Sequence, residues 1–162
     1  MHHYWLHLGS NEGDRKKNIL KAIEAIRNSV GDVISQSNLF ETEPWGLKDQ
    51  PYFINVAIEI TSSKSPEDVL KLTKVIESEL GRKTTVKWGQ RCIDIDILYC
   101  DDLIITSEKI QIPHPELYHR NFVLIPMMEI SGDKVDPQKH MTIDDIYLES
   151  TDSSEVLLYE DE

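Results

Sequence analysis

Between Cys92 and Leu98 the chain reads Cys-Ile-Asp-Ile-Asp-Ile-Leu, and this strict alternation constrains the fold more than any other segment. Successive side chains on a β-strand point to opposite faces, so a two-residue period identifies a strand. Ile93, Ile95 and Ile97 then share a face that must be buried. Asp94 and Asp96 share the other, with Cα atoms about 6–7 Å apart, close enough to converge on a hard cation. A strand built only for burial has no use for that pair.

The segment before it turns the pair into a site. From Leu80 to Ile93 there is no Asp or Glu, but four cations occur, Arg82, Lys83, Lys87 and Arg91. In a chain of net charge −12 this reversal calls for an anion. Carboxylates that hold a metal, beside fixed cations, suit a nucleoside polyphosphate: the metal bridges phosphate oxygens while Arg and Lys neutralise the remaining charge. Trp88 adds a flat apolar surface.

Composition narrows the alternatives. With 162 residues and 40% hydrophobic content the chain buries one proper core, and one domain is expected over residues 1–150. The acidic balance argues against a nucleic-acid partner, which would need a basic surface to displace counterions. No apolar run reaches membrane-spanning length and no signal peptide is apparent, so a soluble, cytoplasmic monomer is expected. Cys92 and Cys100, eight residues apart, are too far from each other along a strand to bond and read as reduced thiols.

Along the chain, Tyr4–Leu8 reads as a strand ended by a Gly9-Ser10-Asn11 turn, and Asp14 caps a helix carrying Ile19, Leu20, Ile23, Ile26 and Val30 on one face up to Gly31. Strands are expected at 33–41 and 53–60. Ser65-Pro66-Glu67-Asp68 starts a capped helix that runs to Leu80 and stops at Gly81. After the signature strand, 103–105 and 110–112 read as a small hairpin. Phe122–Ile130, interrupted by Pro126, reads as a broken helix or one that begins near the proline, and Thr142 opens a last short helix. Residues 151–162 read as a flexible acidic tail. The order strand, helix, strand, strand, helix, strand predicts an α+β fold: a ferredoxin-like split βαββαβ sandwich with an antiparallel sheet, helices on its faces and extra C-terminal elements. Phe53, Asn55, Asp94 and Asp96 then project from the face opposite the isoleucines.

Six further pieces accompany the signature at 87–98. They are Leu-Gly-Ser-Asn at 8–11, Thr-Glu-Pro-Trp-Gly at 42–46, Asp-Gln-Pro-Tyr-Phe-Ile-Asn at 49–55, Glu77 with Gly81-Arg82, Pro-His-Pro at 113–115, and Arg120-Asn121-Phe122. In this order and spacing, from Leu6 to about Ile130, the chain resembles the 6-hydroxymethyl-7,8-dihydropterin pyrophosphokinase family of folate biosynthesis. The resemblance implies transfer of the β,γ-pyrophosphoryl group of ATP to the hydroxymethyl oxygen of the pterin, with release of AMP. It implies two Mg²⁺ ions on Asp94 and Asp96, and catalytic roles for Arg82, Lys87 and Arg91. Nucleotide contacts fall on Glu77, Arg82, Lys87, Trp88, Arg91, Ile97, His114 and Arg120. The pterin pocket falls on Thr42, Pro44, Trp45, Phe53, Asn55 and Phe122. Phe53 stands where the family often has tyrosine, which keeps the ring and loses a hydroxyl.

Two other classes fit parts of the pattern. A two-metal nucleotidyltransferase also joins a Gly-Ser turn to a strand-borne Asp-x-Asp, but holds them close in sequence, whereas Gly9 and Asp94 lie more than eighty residues apart. A non-catalytic ferredoxin-like ligand sensor would leave Asp94 and Asp96 in solvent and would have no use for the cationic stretch. Phosphoryl transfer itself asks for positioning and charge neutralisation rather than for a catalytic base.

Overall fold

The computed structural model describes residues 1–43, 49–81 and 92–161. The first strand, β1 (His2–Ser10), runs two residues further than the sequence pattern predicts, through Gly9 and Ser10. Asn11, fully buried, supplies the turn instead: its side-chain amide donates to Gln50 Oε1 at 3.0 Å and to the Pro51 carbonyl at 3.1 Å. The helix α1 (Arg15–Ser29) starts on the Asp14 carboxylate, which accepts from the Lys17 N–H. It ends beside Gly31, where any Cβ would collide with the Thr61 carbonyl, so close helix–sheet approach is what requires glycine there.

The single strand predicted at 33–41 is divided into β2 (Asp32–Gln36) and β3 (Phe40–Thr42). Both pair antiparallel with β4 (Phe53–Ser62), β2 along its second half and β3 along its first. Ser37 bridges the break: its N–H donates to the Ala57 carbonyl at 2.9 Å and its hydroxyl accepts from the Ala57 N–H at 3.0 Å. A side chain thus replaces one rung of the ladder, a substitution that alternation alone does not signal.

Helix α2 (Pro66–Glu79) has the expected cap, with Ser65 Oγ accepting from the Asp68 N–H and Pro66 in the first turn. It stops at Gly81, whose φ of 86° is left-handed. The signature strand is β5 (Asp94–Cys100), and the hairpin is the shorter pair β6 (Ile105–Thr106) and β7 (Gln111–Ile112). The main sheet runs β5-β1-β4 and then β3, with β2 also on β4. Counting β2 and β3 as one divided strand, this is the ferredoxin-like order, in which β4 lies between the two strands that α1 connects.

Tyr4, Leu6 and Leu8 of β1, the even positions from Ile54 to Ile60 and Ile93, Ile95 and Ile97 form the main core with Ile19, Ile23 and Ile26 of α1 and Val69 and Ile76 of α2. The opposite face is only half open. Helices α3 (Asn121–Ser131) and α4 (Ile143–Glu149) cover one end of it, packing Val123, Leu124, Met127, Ile143 and Ile146 on Trp5, Ala57, Leu98 and Tyr99. A bulge in β5 makes this possible. Leu6 faces Ile97 while Trp5 faces Tyr99, so the extra residue puts Leu98 and Tyr99 both in the second core.

Two expectations fail here. Helix α3 is neither broken by Pro126 nor started by it, but begins five residues earlier and contains the proline. A helical N–H bonds the carbonyl four residues back, so Pro126 leaves the Phe122 carbonyl without its helical partner. The His7 ring packs against the Phe122 side chain, with ring centroids 5.7 Å apart. The tail is likewise not a flexible appendage. Residues Val156–Leu158 form a last strand, β8, antiparallel to β3, and Asp152 Oδ2 accepts from the Asn121 N–H at 2.8 Å. The apolar run Val156-Leu157-Leu158 is visible within the acidic tail, but what it pairs with is not: it meets a strand edge with unpaired backbone groups, and such an edge accepts a short partner. None of the helices among the described residues is long and apolar enough to cross a membrane.

Candidate functional site

Register assembles the site. On one side of β1, Gly9 stands opposite Asp94 and His7 opposite Asp96; on its other side Gly9 stands opposite Asn55 and His7 opposite Ala57. Residues directly opposite in antiparallel strands share a face. Asp94, Gly9 and Asn55 therefore form one row across three strands, with the carboxylate and the amide about 10 Å apart on the backbone, two strand spacings. Glycine keeps the ground between them clear. A Cβ on Gly9 would sit 3.3 Å from Asn55 Oδ1 and 3.6 Å from the Phe53 ring.

Asn55 is buried and its amide donates to Thr42 Oγ1 at 2.9 Å. That bond commits one amide hydrogen and orients Oδ1. Phe53 is half-buried, opposite Thr42 in the β3–β4 ladder. Thr42, Phe53 and Asn55 thus meet at one end of the half-open face, as expected. Phe122, half-buried in the first turn of α3, lies with its ring 5.7 Å from the His7 ring, and the Arg120 guanidinium lies 5.6 Å from the Phe122 centroid.

The carboxylates face a second group of residues. His114 Nε2 is 3.9 Å from Asp96 Oδ1. Its Nδ1 accepts from the Glu116 N–H at 3.1 Å, so the neutral ring carries its proton on Nε2, toward Asp96. Burial pushes the His114 pKa down, opposed by the nearby Asp96 charge. The His7 imidazole, also buried, is pushed down to about 4, again with Asp96 pulling the other way. Beside Asp96, the edge of β5, helix α2 and the β6–β7 hairpin enclose a cleft of about 320 Å³. It is lined by Ile97 and His114, and also by Lys74, Lys109 and Gln111, which sequence reasoning missed. Their signal is weak: isolated polar residues on a helix and a hairpin carry no period of their own.

Glu77 is 3% exposed, and its Oε2 accepts from the Ile95 N–H at 2.8 Å, the residue between the two aspartates. It therefore braces the edge strand that presents Asp94 and Asp96. Those two carboxylates, half-buried and on one face, form a hard-oxygen donor pair of the kind that holds Mg²⁺. Pro44, Trp45, Arg82, Lys87, Trp88 and Arg91 lie outside the described residues. The last four belong to the stretch that runs directly into β5.

A family model described as "7,8-dihydro-6-hydroxymethylpterin-pyrophosphokinase (HPPK)" matches residues 5–132. The 2-amino-4-hydroxy-6-hydroxymethyldihydropteridine pyrophosphokinase of Bacillus subtilis (strain 168) is 41% identical over 127 residues, covering 78% of this chain and 76% of that protein. Its counterpart from Aquifex aeolicus (strain VF5) is 39% identical over 133 residues, 82% of each. The folic acid synthesis protein fol1 of Pneumocystis carinii is 43% identical over 139 residues, but the chain spans only 19% of its length. Among solved structures, wild-type Plasmodium falciparum HPPK-DHPS superposes with a TM-score of 0.71 at 17% identity, covering 91% of this chain and 44% of that one, a likeness of fold. The family match covers the whole of the carboxylate row and the helix that carries Phe122, and the chain belongs to the 7,8-dihydro-6-hydroxymethylpterin-pyrophosphokinase family of enzymes.

Proposed function

We infer that this chain transfers the pyrophosphoryl group of ATP to the hydroxymethyl oxygen of 6-hydroxymethyl-7,8-dihydropterin in folate synthesis, releasing AMP, and that it does so on the row formed by Asp94, Gly9 and Asn55. The observation that carries the reading is that row: a metal-binding carboxylate and a buried amide on either side of a residue with no side chain.

Asp94 and Asp96 would hold two Mg²⁺ ions, which would neutralise the phosphate oxygens and polarise the attacking hydroxyl. Arg82, Lys87, Arg91, His114 and Arg120 take the remaining phosphate charge. Glu77 fixes β5 from behind, Ile97 serves the nucleotide in the cleft beside Asp96, and Trp88 is a further nucleotide contact. At the other end of the row Asn55 Oδ1 accepts from the amide-like edge of the pterin, and Phe53 and Phe122 stack on its ring, with Thr42, Pro44 and Trp45 completing the pocket. The protein acts as a cytoplasmic monomer with a single catalytic domain over residues 1–150. The segment 151–162 belongs to it through β8.

Mixing the protein with ATP, Mg²⁺ and the hydroxymethyl dihydropterin and identifying the products tests the reaction. AMP is expected. ADP would mean ordinary phosphoryl transfer, inorganic pyrophosphate would mean nucleotidyl transfer, and no turnover would favour a ligand sensor. The pocket assignment has its own test. Asn55→Ala leaves a buried polar edge of the pterin unpaired, a loss of about 1–3 kcal/mol. Separate titrations should show that loss for the pterin and almost none for Mg²⁺-ATP. Equal weakening of both would remove Asn55 from the pterin pocket.

A further inference from the structure

The far end of β1 carries a second set of metal-binding atoms. Among the described residues, a ring nitrogen of His2, the Cys100 sulfur and a carboxylate oxygen of Asp101 all lie within 4.8 Å of one another. Register brings them together. Tyr4 stands opposite Cys100 in the β1–β5 ladder, and the Asp101 N–H carries the pairing one step on by donating to the His3 carbonyl at 2.8 Å. His2 lies two residues before Tyr4 and shares its face, with the two rings 6.0 Å apart. Seven residues of strand, about 23 Å, separate His2 from Gly9, so this group is remote from the carboxylate row.

Asp101 completes the set from an uncommon conformation. Its φ of 49° is left-handed, which few residues with a side chain adopt and which Asn and Asp tolerate best. There its carboxylate turns back over the start of β1: Oδ1 accepts from the His3 N–H at 2.9 Å and Oδ2 lies 2.7 Å from His2 Nδ1. The donors are thus one imidazole nitrogen, one sulfur and one carboxylate oxygen. A tetrahedral zinc site takes that mixture, whereas Mg²⁺ wants oxygens alone. Ligand atoms around such a zinc lie about 3.2–3.8 Å apart, within the range set by the His2–Asp101 distance and the outer limit of the trio. The side chains of His2 and Asp101 are partly exposed and Cys100 is fully buried, so an ion enters from solvent and meets sulfur at the floor.

We propose that His2, Cys100 and Asp101 form a binding site for a divalent transition metal of the zinc class, with water as the fourth ligand. The ion replaces the thiol hydrogen, which leaves to solvent, and the His2 ring offers the lone pair of Nδ1 while its proton resides on Nε2. Burial pushes the Cys100 thiol up to about 11, so without an ion it stays protonated, and each ion bound at neutral pH releases at least one proton. The ion ties the start of β1 to the end of β5, the two strands whose opposite ends present Gly9 and Asp94. Binding to the folded chain alone makes it a stabiliser of that chain. The site is independent of the reaction proposed for the carboxylate row.

Co²⁺ serves as a coloured stand-in for zinc. Titrating the full chain with Co²⁺ under reducing conditions, without ATP, should give a near-ultraviolet thiolate-to-cobalt charge-transfer band and the visible bands of four-coordinate cobalt, saturating at one equivalent and abolished by Zn²⁺. Carboxylates alone give no thiolate band, so the signal is separate from any ion on Asp94 and Asp96. Cys92→Ser should keep the band and Cys100→Ser should lose it. Cys100 is buried and its replacement can cost stability, so His2→Ala and Asp101→Asn form the deciding pair: both positions reach the surface, and asparagine tolerates the left-handed backbone. Each should raise the Co²⁺ Kd about tenfold or more. Zn²⁺ at about a hundred times its wild-type Kd should raise the wild-type melting temperature by at least about 5 °C and that of the two variants by about half as much or less. The proposal would be overturned by the absence of a thiolate band in the wild type, by a band that survives in Cys100→Ser or vanishes in Cys92→Ser, or by unchanged Co²⁺ affinity in His2→Ala or Asp101→Asn.

Discussion

Asp94→Asn and Asp96→Asn should each lower the rate of AMP release at least a hundredfold while leaving the fold intact. The asparagine side chain matches aspartate in shape but offers one neutral carbonyl oxygen where the carboxylate offers two charged ones. Loss of a metal ligand removes several kcal/mol of transition-state stabilisation, and a hundredfold corresponds to about 2.7 kcal/mol. The fold has little stake in either charge. Both side chains are half-buried on the site face, while β5 is held by its ladder with β1, by Glu77 on the Ile95 N–H and by the buried isoleucines behind it. Melting temperatures within about 3 °C of wild type, roughly 1 kcal/mol for a domain this size, are therefore expected beside the kinetic loss. Direct titration with Mg²⁺ and ATP should show weakened metal-dependent nucleotide binding in both variants. A variant retaining more than a tenth of wild-type turnover would remove its aspartate from the metal site.

How much of this site was legible follows from how local its signals are. The alternation from Ile93 to Ile97 is a property of neighbouring residues, and the strand, its buried face and its acidic face all follow from it. Helices α1 and α2 were equally plain, because Asp14 and Ser65 cap them and their apolar residues recur at helical spacing. Other features depend on partners distant in sequence. The division of β2 from β3 rests on Ser37 bonding to Ala57, and the continuity of α3 through Pro126 goes with its packing, beside α4, on Trp5, Ala57, Leu98 and Tyr99. Glu77 looked like a nucleotide contact by resemblance, yet its closest duty is to the backbone of Ile95, eighteen residues away. His7 belongs to no motif, and its place beside Asp96 and Phe122 arises only when β1, α3 and β5 lie side by side. The register that joins Asp94 to Asn55 through Gly9 is of the same kind: each residue was singled out, but the row was not.

Removing residues 153–162 should lower the melting temperature by about 5–15 °C, the opposite of what a flexible acidic tail would do. Strand β8 pairs Leu158, Leu157 and Val156 with Phe40, Glu41 and Thr42, and the Tyr159 N–H donates to the Leu39 carbonyl at 2.9 Å. The Tyr159 side chain packs against the main core with the Arg15 guanidinium 5.9 Å from its ring, and Asp161 pairs with Lys16. The exposed ion pair contributes little. A few backbone bonds at about 0.5–1.5 kcal/mol each and a partly buried aromatic together give roughly 2–4 kcal/mol, and each kcal/mol moves the midpoint of a domain this size about 2–4 °C. The cut after Asp152 spares the bonds from the Asn121 N–H and side-chain amide to that residue, so the start of α3 keeps its cap. What is lost is support for β3, the strand that carries Thr42 and, through it, the orientation of Asn55. The shortened protein should therefore bind the pterin more weakly even well below its melting temperature, with Mg²⁺-ATP affinity close to wild type. Thermal melts followed by circular dichroism, with separate titrations of the two substrates, decide it. A melting temperature within 2 °C of the full chain would mean that β8 adds nothing to the stability of the sheet it joins, and an unchanged pterin affinity would mean that β3 holds Thr42 in place without a neighbour on its outer edge.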